Sequence, residues 1–339
     1  MLPLACDVAS AAVAPGDLDS ARVAVVCGGP AAEREVSLRS GGEVAAALRK
    51  SFASVTVHEP DLALATELMS GSIDVVFPAL HGPLGEDGAI QGLLEVAGVP
   101  YVGSDVAASA CAIDKVIAKR LFRDAALPLA REVVVDRGVS GADGVAAVRE
   151  LLDGRVAVKP ASQGSAVGVA FASTDAELAD ALEAAFTYDS RVLVEEFVVG
   201  SEITVGVLED PEPFAFPVID IRTPGDSWYD FKHRYGVGLS EHVIPAPLPS
   251  DVYDAVQDLA LRAHVTLGCR DLSRADFVVE EGGRVVLLEV NTLPGMTPTS
   301  LYPDGAAAAG VPFDSLCERL VRRALGRGGR VVAGEPLAL

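Results

Sequence analysis

A chain of 339 residues, half of them hydrophobic, carries enough apolar material for two or three domains with buried cores. Its formal net charge of −21 excludes nucleic acid and anionic membranes as partners drawn by the overall field, so a phosphate ligand would have to be held by local cations. No window is long and apolar enough for a membrane span, and Cys6, Cys27, Cys111, Cys269 and Cys317, widely spaced and without a metal-knuckle pattern, read as reduced thiols of a cytoplasmic protein.

Residues 1–20 and 329–339 read as a disordered and a frayed tail. The first apolar run, Arg22 to Cys27, is a buried parallel strand ending at Gly28-Gly29-Pro30, and Val36, Leu38, Val44, Ala47 and Leu48 predict a helix over 35–52. That unit starts a doubly wound α/β domain over 21–113. The spaced glycines of a dinucleotide fingerprint are absent, which argues against NAD. Glu33, Arg34, Glu35 and Ser37 crowd the helix start, where capping and the helix dipole give an ordinary account of all four. Strands over 54–59 and 74–80 follow, and the second runs into a loop from His81 to Gly88, at the strand end where open α/β sheets bind ligands. A helix over 89–97 and a strand near Tyr101 complete the domain.

Asp114-Lys115 opens a central α+β unit, 114–200, with strands over 131–135, 155–160, 168–172 and 191–197 and helices over 144–152 and 175–186. Between Lys159 and Gly168 lies a Gly/Ser loop whose backbone N–H groups can cover phosphates as a nest, although its spacing is wrong for a Walker A loop. Only five of the twenty-seven basic residues are lysine (Lys50, Lys115, Lys119, Lys159 and Lys232), so a lysine in such a context stands out. The third unit, 201–328, brings strands over 200–209 and 213–221, a long polar loop over 222–241 that reads as a lid, a helix over 251–267, a hairpin and a closing helix over 313–325.

The hairpin, Arg274 to Asn291, yields a site by counting. Gly282-Gly283 reads as a two-residue turn, and if Glu281 pairs with Arg284, then Asp276 faces Glu289, with Asn291 two residues further on the same face. Two carboxylates and an amide oxygen so placed would be relieved by an oxygen-loving divalent cation, Mg²⁺ bound partly through substrate phosphates being the sharper reading and a solvated acidic face the plainer one.

These pieces, in order, resemble the D-alanine–D-alanine ligases of the ATP-grasp superfamily. The resemblance runs from about Arg22 to Gly326 through GGPAAEREVSLRSG, HGPLGEDGAIQGLLEVAGVPYVGS, DK, KPASQGSAVGV, EEFVVGSEITVGV, YDFKHRY, RADF and EVNTLPGMTPTSLYP. It implies an ATP-grasp fold: an N-terminal α/β substrate domain and two α+β domains that grip ATP. ATP phosphates would fall to Lys115 and Lys159, adenine to Glu195, Glu196, Phe197 and Val198, ribose to Glu202, and Mg²⁺, with Mn²⁺ as an alternative, to Asp276, Glu289 and Asn291. Glu33 would take the first amino acid's ammonium in a set with Ser165 and Tyr235, with His81 nearby. Arg274 and the Gly295 N–H would stabilise the oxyanion, and Ser300 and the Leu301 N–H would bind the second carboxylate.

The implied activity joins two D-alanines at the expense of ATP through an acyl phosphate, for peptidoglycan, in a homodimer. Three departures bear on the acceptor: Arg234 stands where the family usually has lysine, Ala166 replaces a common second serine, and Lys232 and His233 make the lid basic. The competing readings are a paralogous ligase with a different acceptor, from a resistance or specialised-metabolite pathway, and a nucleotide-binding regulator that does not catalyse.

Overall fold

The computed structural model describes residues 18–139, 141–224, 239–298 and 300–329, arranged as three sheets with helices packed on them. The stretches read as tails lie outside the described residues except at their inner ends. There, Leu18–Ser20 form a 3-10 turn whose Asp19 pairs with Arg322.

In the first sheet β1 (Arg22–Val26), β2 (Ser54–His58) and β3 (Val75–Pro78) run parallel in the order β2-β1-β3. Every β1 residue after Arg22 is buried, as an apolar run covered on both faces requires. Helices α1 (Arg34–Leu48), α2 (Leu62–Ser70) and α3 (Ala89–Ala97) pack on it, and α4 (Val106–Ile113) follows, its Ala112 buried in a different core. The expected strand near Tyr101 is a single bridge to Val76. Helix α5 (Lys115–Asp124) follows, started by Asp114, whose carboxylate accepts the N–H groups of Val116 and Ile117.

The second sheet is antiparallel: β4 (Glu132–Asp136), β5 (Val156–Pro160), β6 (Ala170–Ala172) and β7 (Arg191–Glu196) in the order β4-β7-β5-β6. Helices α6 (Gly141–Leu151) and α7 (Asp175–Phe186) cover one face, and Val148, Leu178 and Leu182 join Val156, Val158, Val192 and Val194 in a core of their own. The opposite face, carrying Glu132, Glu195, Ala157 and Lys159, looks toward the third sheet's hairpin.

That third sheet holds β8 (Ser201–Glu209), β9 (Pro213–Ala215), β10 (Ile219–Arg222), β11 (Glu241–Val243), β12 (Leu272–Val279) and β13 (Val285–Asn291), ordered β11-β10-β8-β12-β13 with β9 on β8. The strand expected over 213–221 is two strands, because Pro217 has no N–H for the ladder: the Phe216 N–H still donates to Gly206 O of β8, but the Val218 N–H donates to Tyr253 Oη and its carbonyl accepts the Ala246 N–H. Helices α8 (Ser250–Leu267), α9 (Leu301–Ala308) and α10 (Phe313–Arg327) complete it. Packing ties the first and third sheets together: Val25, Leu48 and Phe77 share one core with Phe216, Tyr302 and Leu320. At their junction the fully buried Asp271 accepts the Gly103 N–H and pairs with Arg323 and Arg327.

The hairpin corrects the turn expected from Gly282-Gly283. Glu281 does not pair with Arg284; Glu280 does, its N–H donating to the Arg284 carbonyl at 2.9 Å, which leaves a three-residue loop, 281–283. A bulge then shifts the register back by one: Phe277 faces Leu287 while Asp276 faces Glu289, with Leu288 as the extra residue. The Leu287 N–H donates to Pro128 O at 2.8 Å, outside the hairpin, which anchors the bulge. Two one-residue departures cancel, and the facing pair expected from counting is present for a different reason.

Gly283 holds φ +82°, the left-handed position that closes such a loop, whereas Gly282 is not in that region and has open space where a Cβ would stand. Gly283→Ala is therefore expected to cost about 1 kcal/mol in urea unfolding and Gly282→Ala nearly nothing. Equal effects would contradict this turn.

Candidate active site

Three adjacent strands set the site's floor. On β12, Arg274 faces Asn291 and Asp276 faces Glu289, while on the other side Asp276 faces Thr204 and Val278 faces Glu202 of β8. Period-two alternation therefore turns Arg274, Asp276, Glu289, Asn291, Thr204 and Glu202 to one side. Arg274 Nε and Nη2 donate to the two Asp276 oxygens at 2.8 and 2.7 Å, and Thr204 Oγ1 donates to Oδ1 at 2.6 Å. Arg274 and Asp276 are 7% and 9% exposed, so this bidentate pair is held largely away from water.

An inner polar cavity lies against this floor, lined by His81, Glu86, Lys115, Ser165, Arg274, Glu289, Asn291, Gly295, Ser300 and Leu301 among others. A Cβ on Gly295 would meet Ser300 Oγ at 2.8 Å, so glycine here leaves room for the Ser300 hydroxyl. Ser300 precedes α9, where the Leu301 and Tyr302 N–H groups have no intrahelical acceptor and Pro303 has no N–H at all. Such a helix start suits a carboxylate.

From the first sheet come Glu33, His81 and Glu86. Glu33, 2% exposed and at the N-cap position of α1, makes no side-chain capping hydrogen bond, so capping does not account for its burial. Its carboxylate backs onto Gly82 and Gly164, where added Cβ atoms would meet it at 2.8 and 3.4 Å. Its neighbours do have structural roles: Arg34 pairs with Glu59, and Ser37 Oγ donates to Ala79 O while accepting the Gly28 N–H. Burial first, then the nearby Arg274 charge, pulls His81 down to about 4, and its Nε2 is buried without a hydrogen-bond partner among the described residues. Glu86 is pushed up to about 8, chiefly by burial, with the Gly82 N–H bond opposing and the Glu33 charge adding to the rise.

A larger cavity of about 660 Å³ opens between the second and third sheets, a size suited to a nucleotide. Lys159, Glu195, Glu196, Phe197, Val198 and Glu202 line it, and Lys115 and Glu289, 3.5 Å apart, border both cavities. Lys115 Nζ also donates to Gln163 O at 2.6 Å, tying the start of α5 to the loop after β5. In that loop Ser165 and Ala166 take φ of 48° and 60° and the Val167 N–H returns to Gly164 O, a tight turn with two left-handed non-glycine residues. Backbone held this way at a cavity wall is a mark of a functional loop.

The expected metal ligands Asp276, Glu289 and Asn291 fit a hard cation in donor type and in sharing one face of the β12–β13 pair. Glu289 and Asn291 reach the inner cavity; Asp276 lies behind Arg274, which takes both its oxygens. Asn291 Oδ1 accepts the Leu293 N–H. Arg234 and Tyr235 lie outside the described residues. Sequence reasoning passed over Glu86, Thr204, Leu288 and Arg155. Leu288 and Arg155 line the large cavity, the Arg155 guanidinium lying 4.1 Å from the Phe197 ring centroid. The only signal for Glu86 was its place in the loop after His81.

Family models for the D-ala D-ala ligase N-terminus and C-terminus match residues 55–104 and 121–322. The D-alanine–D-alanine ligase of Desulforamulus reducens is 43% identical over 311 residues, covering 90% of this chain and 98% of that protein. This chain belongs to the D-alanine–D-alanine ligase family. Among solved structures, the family member from Bacillus anthracis complexed with ATP is 28% identical, with a TM-score of 0.76 over 91% of this chain and 98% of that one. The VanG D-Ala:D-Ser ligase from Enterococcus faecalis is 27% identical, with a TM-score of 0.78 over 90% and 99%. Relatives of equal likeness thus differ in the named acceptor, and the fold alone does not choose between them.

Glu86 gives the site a pH signature. Its carboxyl is raised from an ordinary 4.5 to about 8, so between those values the unfolded chain loses a proton that the folded protein keeps, and stability falls as pH rises. Relative to Glu86→Gln, the wild type is expected to lose stability from about pH 5 to 8, by roughly 1.4 kcal/mol per pH unit at most. Parallel melting-temperature profiles for the two proteins would contradict a buried, protonated Glu86.

Proposed function

We propose that the two cavities are one active site, in which two D-alanines and ATP give D-alanyl-D-alanine, ADP and phosphate for peptidoglycan synthesis. The observation that carries this is the junction: Lys115 and Glu289 border both chambers, so a nucleotide in the large one has its phosphates at the entrance of the small one.

In the large chamber Lys115 and Lys159 bind phosphates, the backbone from Glu195 to Val198 receives adenine, and Glu202 takes ribose. Asp276, Glu289 and Asn291 would hold Mg²⁺, which when bound neutralises phosphate charge. In the small chamber Glu33 receives the ammonium of the first D-alanine, with Ser165 from the phosphate loop and Tyr235 completing the set. His81, its pKa pulled down to about 4, stands near that substrate as a neutral imidazole at physiological pH. The first carboxylate attacks the γ-phosphorus and ADP leaves, forming an acyl phosphate. Ser300 and the Leu301 N–H hold the second carboxylate. The second amine then attacks the acyl carbon; Arg274 and the Gly295 N–H receive the oxyanion, and phosphate departs. The enzyme works as a cytoplasmic homodimer in this reading.

Incubation with ATP, Mg²⁺ and a panel of D-amino and D-hydroxy acids tests the assignment. D-Alanine alone is expected to release one ADP per dipeptide; ADP release only with D-serine or D-lactate as second substrate would replace this acceptor with another. Arg274→Met is expected to lower kcat on the order of 10²-fold or more, and an unchanged kcat would remove Arg274 from the oxyanion site.

A further inference from the structure

Lys119 has no role in the chemistry above, yet it is 1% exposed, the most deeply buried of the described lysines. It follows Lys115 by one turn on the same face of α5. Burying an ammonium is costly unless it is paired, so the placement needs an account. The pairing is specific. Lys119 Nζ contacts Glu195 Oε1 and lies 3.7 Å from Glu132 Oε2. The other Glu195 oxygen is 2.5 Å from Lys159 Nζ, and the other Glu132 oxygen is 2.6 Å from Arg123 Nη2. Glu132 and Glu195 are register partners on β4 and β7, so two carboxylates would face each other across the sheet without the ammonium between them.

The result is a row of five charges of alternating sign, Arg123, Glu132, Lys119, Glu195 and Lys159, running from the exposed end of α5 to the wall of the large cavity. Each carboxylate is divided between two cations. We infer that Lys119 is a positioning residue for nucleotide binding, acting through Glu195 to leave Lys159 with positive charge directed at the phosphates. The inference rests on the reading of Lys159 as a phosphate ligand. Without Lys119, the whole Glu195 charge falls on Lys159 and draws its ammonium away from the cavity. Burial alone would raise the Glu195 carboxyl; Lys119 and Lys159 together outweigh it and hold it down at about 2, as a doubly paired anion requires.

The test is ATP binding by calorimetry with Mg²⁺ and no D-alanine, backed by steady-state kinetics and melting curves. Lys159→Met serves as the control: if it binds ATP like the wild type, the phosphate assignment of Lys159 fails, and this inference fails with it for that separate reason. Given a weakened control, Lys119→Met is expected to bind ATP at least ten-fold more weakly, with KM for D-alanine unchanged. The double variant Lys119→Met, Glu195→Gln is expected to bind ATP more tightly than Lys119→Met alone, because the unshared carboxylate is gone. A packing role would make the losses additive. Glu132→Gln leaves Lys119 in place but directs all its charge to Glu195, and is expected to tighten ATP binding; it decides the matter should Lys119→Met not fold. Wild-type affinity in Lys119→Met, additive losses in the double variant, or unchanged or weaker binding in Glu132→Gln would each overturn the inference.

Discussion

The pairing of β12 with β13 determines where Arg274, Asp276, Glu289 and Asn291, the polar floor of the small chamber, stand. Arg274 opposite Asn291 and Asp276 opposite Glu289 share one face only because the bulge at Leu288 restores the register that the three-residue turn displaced. A slip of one residue would send these side chains to the opposite face, among Phe277 and Leu287, where burial of unpaired charge is prohibitive. The hydrophobic underside of the hairpin and the Pro128 carbonyl that receives the Leu287 N–H thus hold the polar upper side in place.

Within this frame the cations proposed above to meet anionic ligands are already matched with carboxylates: Arg274 with Asp276, Lys115 with Glu289, Lys159 with Glu195. In a chain of net charge −21, such pairs fix the few useful cations before a ligand arrives. Phosphate and substrate carboxylate then compete for positions that are already set, and little reorganisation is left for the reaction itself. The arrangement also makes each carboxylate a regulator of its partner's field, the route inferred above by which Lys119 would act on the nucleotide.

Much of this was legible in the sequence, for identifiable reasons. Strands such as Arg22–Val26 and Arg191–Glu196 are dense in β-branched residues, and α7 announces itself through the Thr174–Glu177 capping box. Helix α4 was missed because VAASACAI is small and apolar on every side and has no face to detect, and α9 because a Pro within its first turn reads as a stop. The facing of Asp276 and Glu289 was anticipated through a turn that is not the real one, since counting residues cannot see a bulge anchored by a distant carbonyl. Glu86 and Lys119 were hidden for another reason: their environment is created by chain segments far away in sequence, Glu33 and Gly164 for one and Glu195 for the other. Arg234 and Tyr235 lie outside the described residues.

The central claim is that one continuous site transfers the γ-phosphoryl group to the first D-alanine before the second attacks. The most direct measurement starts from D-alanine labelled with ¹⁸O in its carboxylate and follows the label by mass spectrometry of the released phosphate. Transfer of one ¹⁸O from each activated carboxylate into phosphate is the predicted result. Phosphate free of label, with dipeptide formed at the same rate, would contradict an acyl phosphate at the junction of Lys115 and Glu289.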